Sequence, residues 1–235
     1  MTRAARALAV LAVGAAALAA AGPAGSANEC DGLMVCVSVP GPWVVVSTAG
    51  AVPRQETQFH LSCPRGHVVG GLDAELSVRP LDVRFLGNLG SPVNPGITTE
   101  RAAVFVGTFV GRSAPAATFR PFLGCVPATG GGVRVPTSAG VFRPGRPLVR
   151  RVRTVRVRPG SATVAVTCAG RERLVGAAHA VAFRTRRPPS ASLVGTVSAE
   201  RRIRAGRVVV RARGDAELGG VRALVQVQAI CARAA

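Results

Sequence analysis

At 235 residues the chain has room for one large or two small domains, and 30 basic residues against 11 acidic ones exclude a neutral or acidic surface. All 30 are arginine, tyrosine is absent and tryptophan occurs once. A surface so basic attracts anionic polymers, and the shortage of aromatic rings argues against a face that stacks on sugars.

Residues 1–27 carry a short basic head (Arg3, Arg6), an apolar run rich in alanine, and small residues at Gly25-Ser26-Ala27. This is the three-part pattern of a secretory signal peptide, with cleavage expected after Ala27. The run falls short of the ~20 residues that span a bilayer, so no transmembrane segment is expected once it is removed. The remaining 208 residues hold 28 Arg against the 11 acids, a formal +17. A secreted chain, extracellular or associated with the cell envelope, is therefore expected. Its expected partners are anionic cell-wall polymers, membrane surfaces or a secreted partner, and nucleic acid is not among them.

Residues 28–54 form an N-terminal segment with Cys30 and Cys36 and two β-branched runs, 35–39 and 43–47. Pro40-Gly41-Pro42 between the runs is a turn signal. Trp43 is the residue by which this segment would pack on residues 55–127. Those residues make a first module, with strands expected at 58–62, 68–69, 72–78, 102–110 and 117–123. Gly70-Gly71 permits a bulge, and 86–96 reads as loop. A Gly- and Pro-rich linker comes next, at 128–146. The second module, 147–235, has expected strands at 148–157, 162–167, 174–183, 192–197, 207–212 and 221–230, with a basic, Pro-broken loop at 184–190. Composition would also allow a helix at 177–183, but the match to the first module favours strand.

The two modules echo each other. A strand-like run reaches Cys63 or Cys168, a polar turn comes next, then a Val-Gly pair and another apolar run, and each copy closes on a second cysteine, Cys125 or Cys231. With one residue inserted in the second turn, Asp73 aligns with His179. An even count of six cysteines in an exported chain implies three disulfides. The duplication selects Cys63–Cys125 and Cys168–Cys231, and elimination leaves Cys30–Cys36. The two long loops would each contribute about 4 kcal/mol in the chain-entropy model. The fold class expected is all-β, two similar β-sandwich or open-barrel modules, each closed by a long-range disulfide.

Cys63-Pro-Arg-Gly followed by Val69-Gly-Gly, and Val225-Gln-Val-Gln-Ala-Ile-Cys231 later, resemble a pattern of uncharacterised exported β-rich proteins of high-GC bacteria. There a Cys-Pro-x-Gly turn precedes a Gly-rich strand, and an Ala-x-Cys strand ends the module. The resemblance covers about residues 55–126 and 160–233, departs at Ala169 where the proline is missing, and implies fold and compartment rather than a reaction.

Candidate chemistry is sparse. His60, Cys63 and His67 could suggest a metal, but an oxidised Cys63 offers no thiolate. Ser62, His67 and Asp73 could be assembled into a triad, but no nucleophile elbow surrounds Ser62. Asp73 and Glu75, two apart on a strand, share a face and give an extracellular glycan or peptide hydrolase as the alternative function. A secreted inhibitor presenting residues 91–99 is a weaker idea. No catalytic residue, cofactor or metal is assigned. The strongest surface signal is Arg143, Arg146, Arg150, Arg151, Arg153, Arg156 and Arg158, a candidate anion-binding ribbon. Strand alternation splits it between two faces, and a bulge near Thr154 would restore one basic face. The competing reading is an edge strand that charge protects from aggregation.

Overall fold

Short β-branched runs bounded by Gly and Pro become strands almost throughout. The structure, a computed structural model, describes residues 28–33, 35–48, 54–86, 97–99, 101–128 and 148–233. The expected signal peptide and nearly all of the linker lie outside these residues. The strands are β1 (Val37–Pro40), β2 (Trp43–Val46), β3 (Glu56–Ser62), β4 (His67–Leu76), β5 (Leu81–Leu86), β6 (Ile97–Thr99), β7 (Ala102–Phe109) and β8 (Ala117–Pro127). They continue as β9 (Leu148–Val157), β10 (Gly160–Thr167), β11 (Glu172–Arg184), β12 (Val197–Arg204), β13 (Arg207–Gly214) and β14 (Arg222–Arg233). The protein is all-β, with one short helix, α1 (Ala191–Gly195), and one 3-10 turn at Ala216–Leu218 among the described residues.

Three antiparallel sheets result. A seven-stranded central sheet runs β4-β8-β2-β11-β14-β9, with β1 beside β8; β3-β7-β5, with β6, forms a second sheet and β10-β13-β12 a third. The pairing order is the same in both halves. The strand entering the first cysteine pairs with the middle strand of its half's outer sheet, β3 with β7 and β10 with β13. The strand leaving that cysteine pairs with the one that ends on the second, β4 with β8 and β11 with β14. All three expected disulfides are closed: Cys30–Cys36, Cys63–Cys125 and Cys168–Cys231.

Four expectations are corrected. Pro40-Gly41-Pro42 does not reverse the chain. β1 and β2 run along the same edge of β8, Val37 opposite Cys125 and Val44 opposite Phe119, so the Pro-Gly-Pro is a kink in one line. Gly41 makes that kink against Pro121, which its Cβ would strike at 2.5 Å. Secondly, no inserted residue is needed to superimpose the halves. The bulged residues are Gly70 and Val175, between Val69/Gly71 and Leu174/Gly176, and Asp73 (opposite Phe122) then corresponds to Ala178 (opposite Gln228). Thirdly, 192–197 is mostly helical, because Ser190 caps α1 by accepting from the Leu193 N–H. Fourthly, β9 pairs with β14 in unbroken register, so there is no bulge near Thr154.

β2 explains how the halves join. One edge pairs with β8; the other pairs with β11 through Val44–Ala182 and Trp43–Phe183. Because side chains alternate along a strand, Val44 and Val46 enter one core and Val45 the other. The first core lies between the central sheet and β3-β7-β5 and includes Phe59, Phe105, Phe119 and Leu123. The second lies on the opposite face, between the central sheet and β10-β13-β12, and includes Phe183, Val208, Val210 and Val227. The N-terminal segment is anchored as well. A Cβ on Gly71 or Gly124 would each meet the Glu29 carbonyl oxygen at 1.9 Å, so these glycines leave the space that the segment's backbone fills.

Trp43 is fully buried at the strand joining the halves. Trp43→Ala is expected to lower unfolding free energy by about 3–5 kcal/mol, as for other large-to-small core changes. Urea titration followed by far-ultraviolet circular dichroism measures the loss; a change under about 1 kcal/mol would contradict this burial.

Candidate functional site

The residues of the expected ribbon serve different ends. Arg143 and Arg146 lie outside the described residues. Arg150, Thr154 and Arg156 lie on one face of β9, and Arg151 and Arg153 on the other, since the register is unbroken. Arg150 points at the first half. Its Nη1 donates to Gln58 Oε1 at 2.9 Å and Gln228 Oε1 at 3.0 Å. Burial pushes its guanidinium below the usual arginine value. Arg151 grips Glu172 with two hydrogen bonds of 2.9 Å, which hold its guanidinium above that value. Arg153, Arg156 and Arg158 are exposed. β9 ends the central sheet.

Arg150 belongs to a polar clasp between the halves. The outer edge of β3 meets the side chains of Gln226 and Gln228 on β14. The His60 N–H donates to Gln226 Oε1 at 2.7 Å, and Gln226 Nε2 donates to the His60 carbonyl at 2.9 Å. Gln228 Nε2 donates to the Gln58 carbonyl at 3.1 Å and to Gln226 Oε1 at 2.9 Å. Two glutamine side chains thus take the place of a neighbouring strand and cover an edge that would otherwise pair with another chain. Both are buried, and a buried amide is costly unless bonded.

The possible catalytic groups are not assembled. Ser62 Oγ lies 3.4 Å from His60 Nδ1, not beside His67; His67 Nδ1 is 3.2 Å from the Arg65 carbonyl. Asp73 accepts from the Asn28 and Ala74 backbone N–H groups. Asp73 and Glu75 share one side of β4, opposite Phe122 and Arg120. Burial raises the Glu75 carboxyl and Arg120 opposes that shift. Cys168, Glu172 and Cys231 lie close together, but both sulfurs are spent on each other and Glu172 on Arg151, so they offer no metal ligand set. Cys63 is likewise bonded to Cys125.

An exposed arginine array lies elsewhere, on the outer face of β10-β13-β12. Alternation sends Val208, Val210 and Ala212 into the core and Arg207, Val209, Arg211 and Arg213 outward. Register then builds four levels across the sheet: Ser161–Arg213–Ser198, Thr163–Arg211–Glu200, Ala165–Val209–Arg202 and Thr167–Arg207–Arg204. Each level holds an arginine. Where β13 offers Val209, Arg202 stands beside it on β12. The two strands join through Ala205-Gly206, both at positive φ (47° and 71°), the geometry of a two-residue hairpin turn. One carboxylate lies on this face, Glu200, and it bonds Arg202 at 2.9 Å. A shallow depression of about 370 Å³ is lined by Thr163, Glu200, Arg202, Arg204, Val209 and Arg211. Arg201, on the inward side of β12, instead donates to the Ala177 carbonyl of β11 and ties the outer sheet to the central one. Sequence reasoning stopped at 207–212 as a strand and missed this face. Its signal was arginine at alternate positions on both sides of Ala205-Gly206, at 202 and 204 before it and at 207, 211 and 213 after it, with Val209 the one interruption.

The chain matches no family model, no curated protein and no solved structure.

Arg150→Met leaves Gln58 Oε1 without its donor and is expected to cost about 1–3 kcal/mol of stability, whereas Arg153→Ala and Arg156→Ala stay within about 0.5 kcal/mol. Urea titration separates the two classes; equal losses would contradict the clasp. The histidines add a pH effect. Burial, then Arg150, lowers His60 below the ordinary 6.5. Burial, then Arg201, lowers His179, partly opposed by a hydrogen bond with the Ala199 backbone. The unfolded chain therefore binds these protons first, so stability is highest above 6.5 and falls on acidification toward the lowered folded values. Urea midpoints at about pH 7.5 and about pH 5 measure the fall, which the double variant His60→Asn/His179→Asn should flatten. An unchanged slope in that variant would assign the effect to other groups.

Proposed function

We propose that this protein is an exported, non-catalytic β protein that binds anionic polymers of the cell envelope through the outer face of β10-β13-β12. The observation that carries the reading is the presence of Arg202, Arg204, Arg207, Arg211 and Arg213 on one exposed sheet face with a single carboxylate. Guanidinium groups spread over a rigid sheet supply charge and directed donors for phosphate or carboxylate oxygens. Three disulfides fit an oxidising compartment. No helix among the described residues is long and apolar enough to cross a membrane. The export pattern of residues 1–27 and the formal +17 of the rest support the same reading. The shared pairing order supports an origin by duplication, and the Cys-Pro-x-Gly and Ala-x-Cys motifs support kinship with exported β-rich proteins of high-GC bacteria.

Co-sedimentation of the oxidised protein with purified cell envelopes over a salt series tests the reading. Binding at low salt should fall steeply as salt rises. Arg204→Ser/Arg211→Ser/Arg213→Ser should weaken it at least about tenfold, because screened contacts with a flexible polyanion add along the chain. Unchanged binding in that variant, with loss in Arg153→Ser/Arg156→Ser/Arg158→Ser, would move the site to β9. Absence of binding at low salt would sink the proposal.

A further inference from the structure

The arginine array has a period as well as a charge. From Arg213 to the Arg204–Arg207 pair, each step between levels is two residues of extended strand. That is six backbone bonds and about 6.7 Å, so four levels span roughly 20 Å. A three-carbon polyol joined through its terminal oxygens by phosphodiesters also repeats every six backbone bonds, with one negative charge per repeat. A glycan bearing one carboxylate per disaccharide places its charges farther apart and meets the arginines out of step.

The rest of the face narrows the ligand further. β10 contributes Ser161, Thr163 and Thr167 beside three of the four arginine levels. These hydroxyls donate to and accept from the free hydroxyls of a polyol. No aromatic residue belongs to any level, although base stacking is what holds single-stranded nucleic acid when sequence is not read. Resting on the binding face proposed above, we infer that its ligand is a linear polyol phosphodiester polymer, lying along β13 with successive phosphates at successive arginine levels. Val209 is the one apolar residue in the β13 row, and Arg202 supplies the charge at that level from β12. Glu200 holds Arg202 and opposes the polymer's charge one level away.

Fluorescence anisotropy of the oxidised protein with three labelled probes tests this: a poly(glycerol phosphate), a glycan with one carboxylate per disaccharide, and an oligothymidylate with the same number of phosphates. The poly(glycerol phosphate) should bind at least about tenfold more tightly than either other probe. Its log K against log salt should have a slope near −3, about −0.7 for each of four arginine levels. Arg211→Ser should make that slope shallower by about 0.7. Glu200→Gln should tighten binding, a gain that damage to the fold would not produce. Equal affinity for the carboxylated glycan would overturn the phosphodiester assignment while leaving the basic face as an anion site. Tightest binding to oligothymidylate would overturn it in favour of nucleic acid. Failure of all three probes at low salt would remove the binding face itself.

Discussion

The structure depends on β2 having two partners. A four-residue strand from the N-terminal segment completes the edge of β8 and offers its other edge to β11, so one sheet passes through both halves. The geometry forces the rest. Alternation along β2 sends neighbouring side chains to opposite faces, and the two cores therefore form on opposite sides of the shared sheet. The outer sheets are staggered as a result, β3-β7-β5 on one face and β10-β13-β12 on the other. Each long disulfide then ties the end of an outer-sheet strand to the central sheet, Cys63 after β3 to Cys125 in β8, and Cys168 after β10 to Cys231 in β14.

The same constraint separates covered from exposed polar surface. β3 overhangs the junction, and its outer edge meets Gln226, Gln228 and Arg150 of the second half. Those side chains are consumed in holding the halves together. β10-β13-β12, on the far side, carries its arginines outward with hydroxyls beside them. The chain thus uses charged and amide residues in two ways that look alike in sequence: buried ones matched donor to acceptor, and exposed ones left with their charge facing solvent. The first kind costs stability when one member is removed; the second is where an anionic partner gains most from guanidinium donors.

Much of the fold was legible because its signals are local. Cysteine spacing and the echo of one module in the other led to the three disulfides, and Gly70-Gly71 to the bulge in β4. β12 was missed because Val197–Arg204 is mostly exposed, an edge strand whose run of polar residues hides the apolar period. α1 was misread as strand because Ser-Leu-Val has β-like composition, while the deciding feature, the Ser190 cap, is a single side-chain contact. The Pro-Gly-Pro turn signal failed for a non-local reason: β8 runs alongside and holds β1 and β2 in line. Seven arginines between Arg143 and Arg158 drew attention to β9, yet Arg150 and Arg151 are held by Gln58, Gln228 and Glu172 from distant elements. The basic face of β12 and β13 required register, which places two modest arginine series side by side.

Native-state hydrogen exchange of the oxidised protein tests the shared sheet most directly. If β2 joins the halves into one cooperative unit, the amides of Val44 and Phe183 exchange only through global unfolding. They should then show the same opening free energy as core amides of β8 and β14, such as Leu123 and Val227. Exchange of Val44 and Phe183 at markedly lower free energy, with the two halves opening at different values, would contradict a single sheet and leave two modules joined by a loosely held strand.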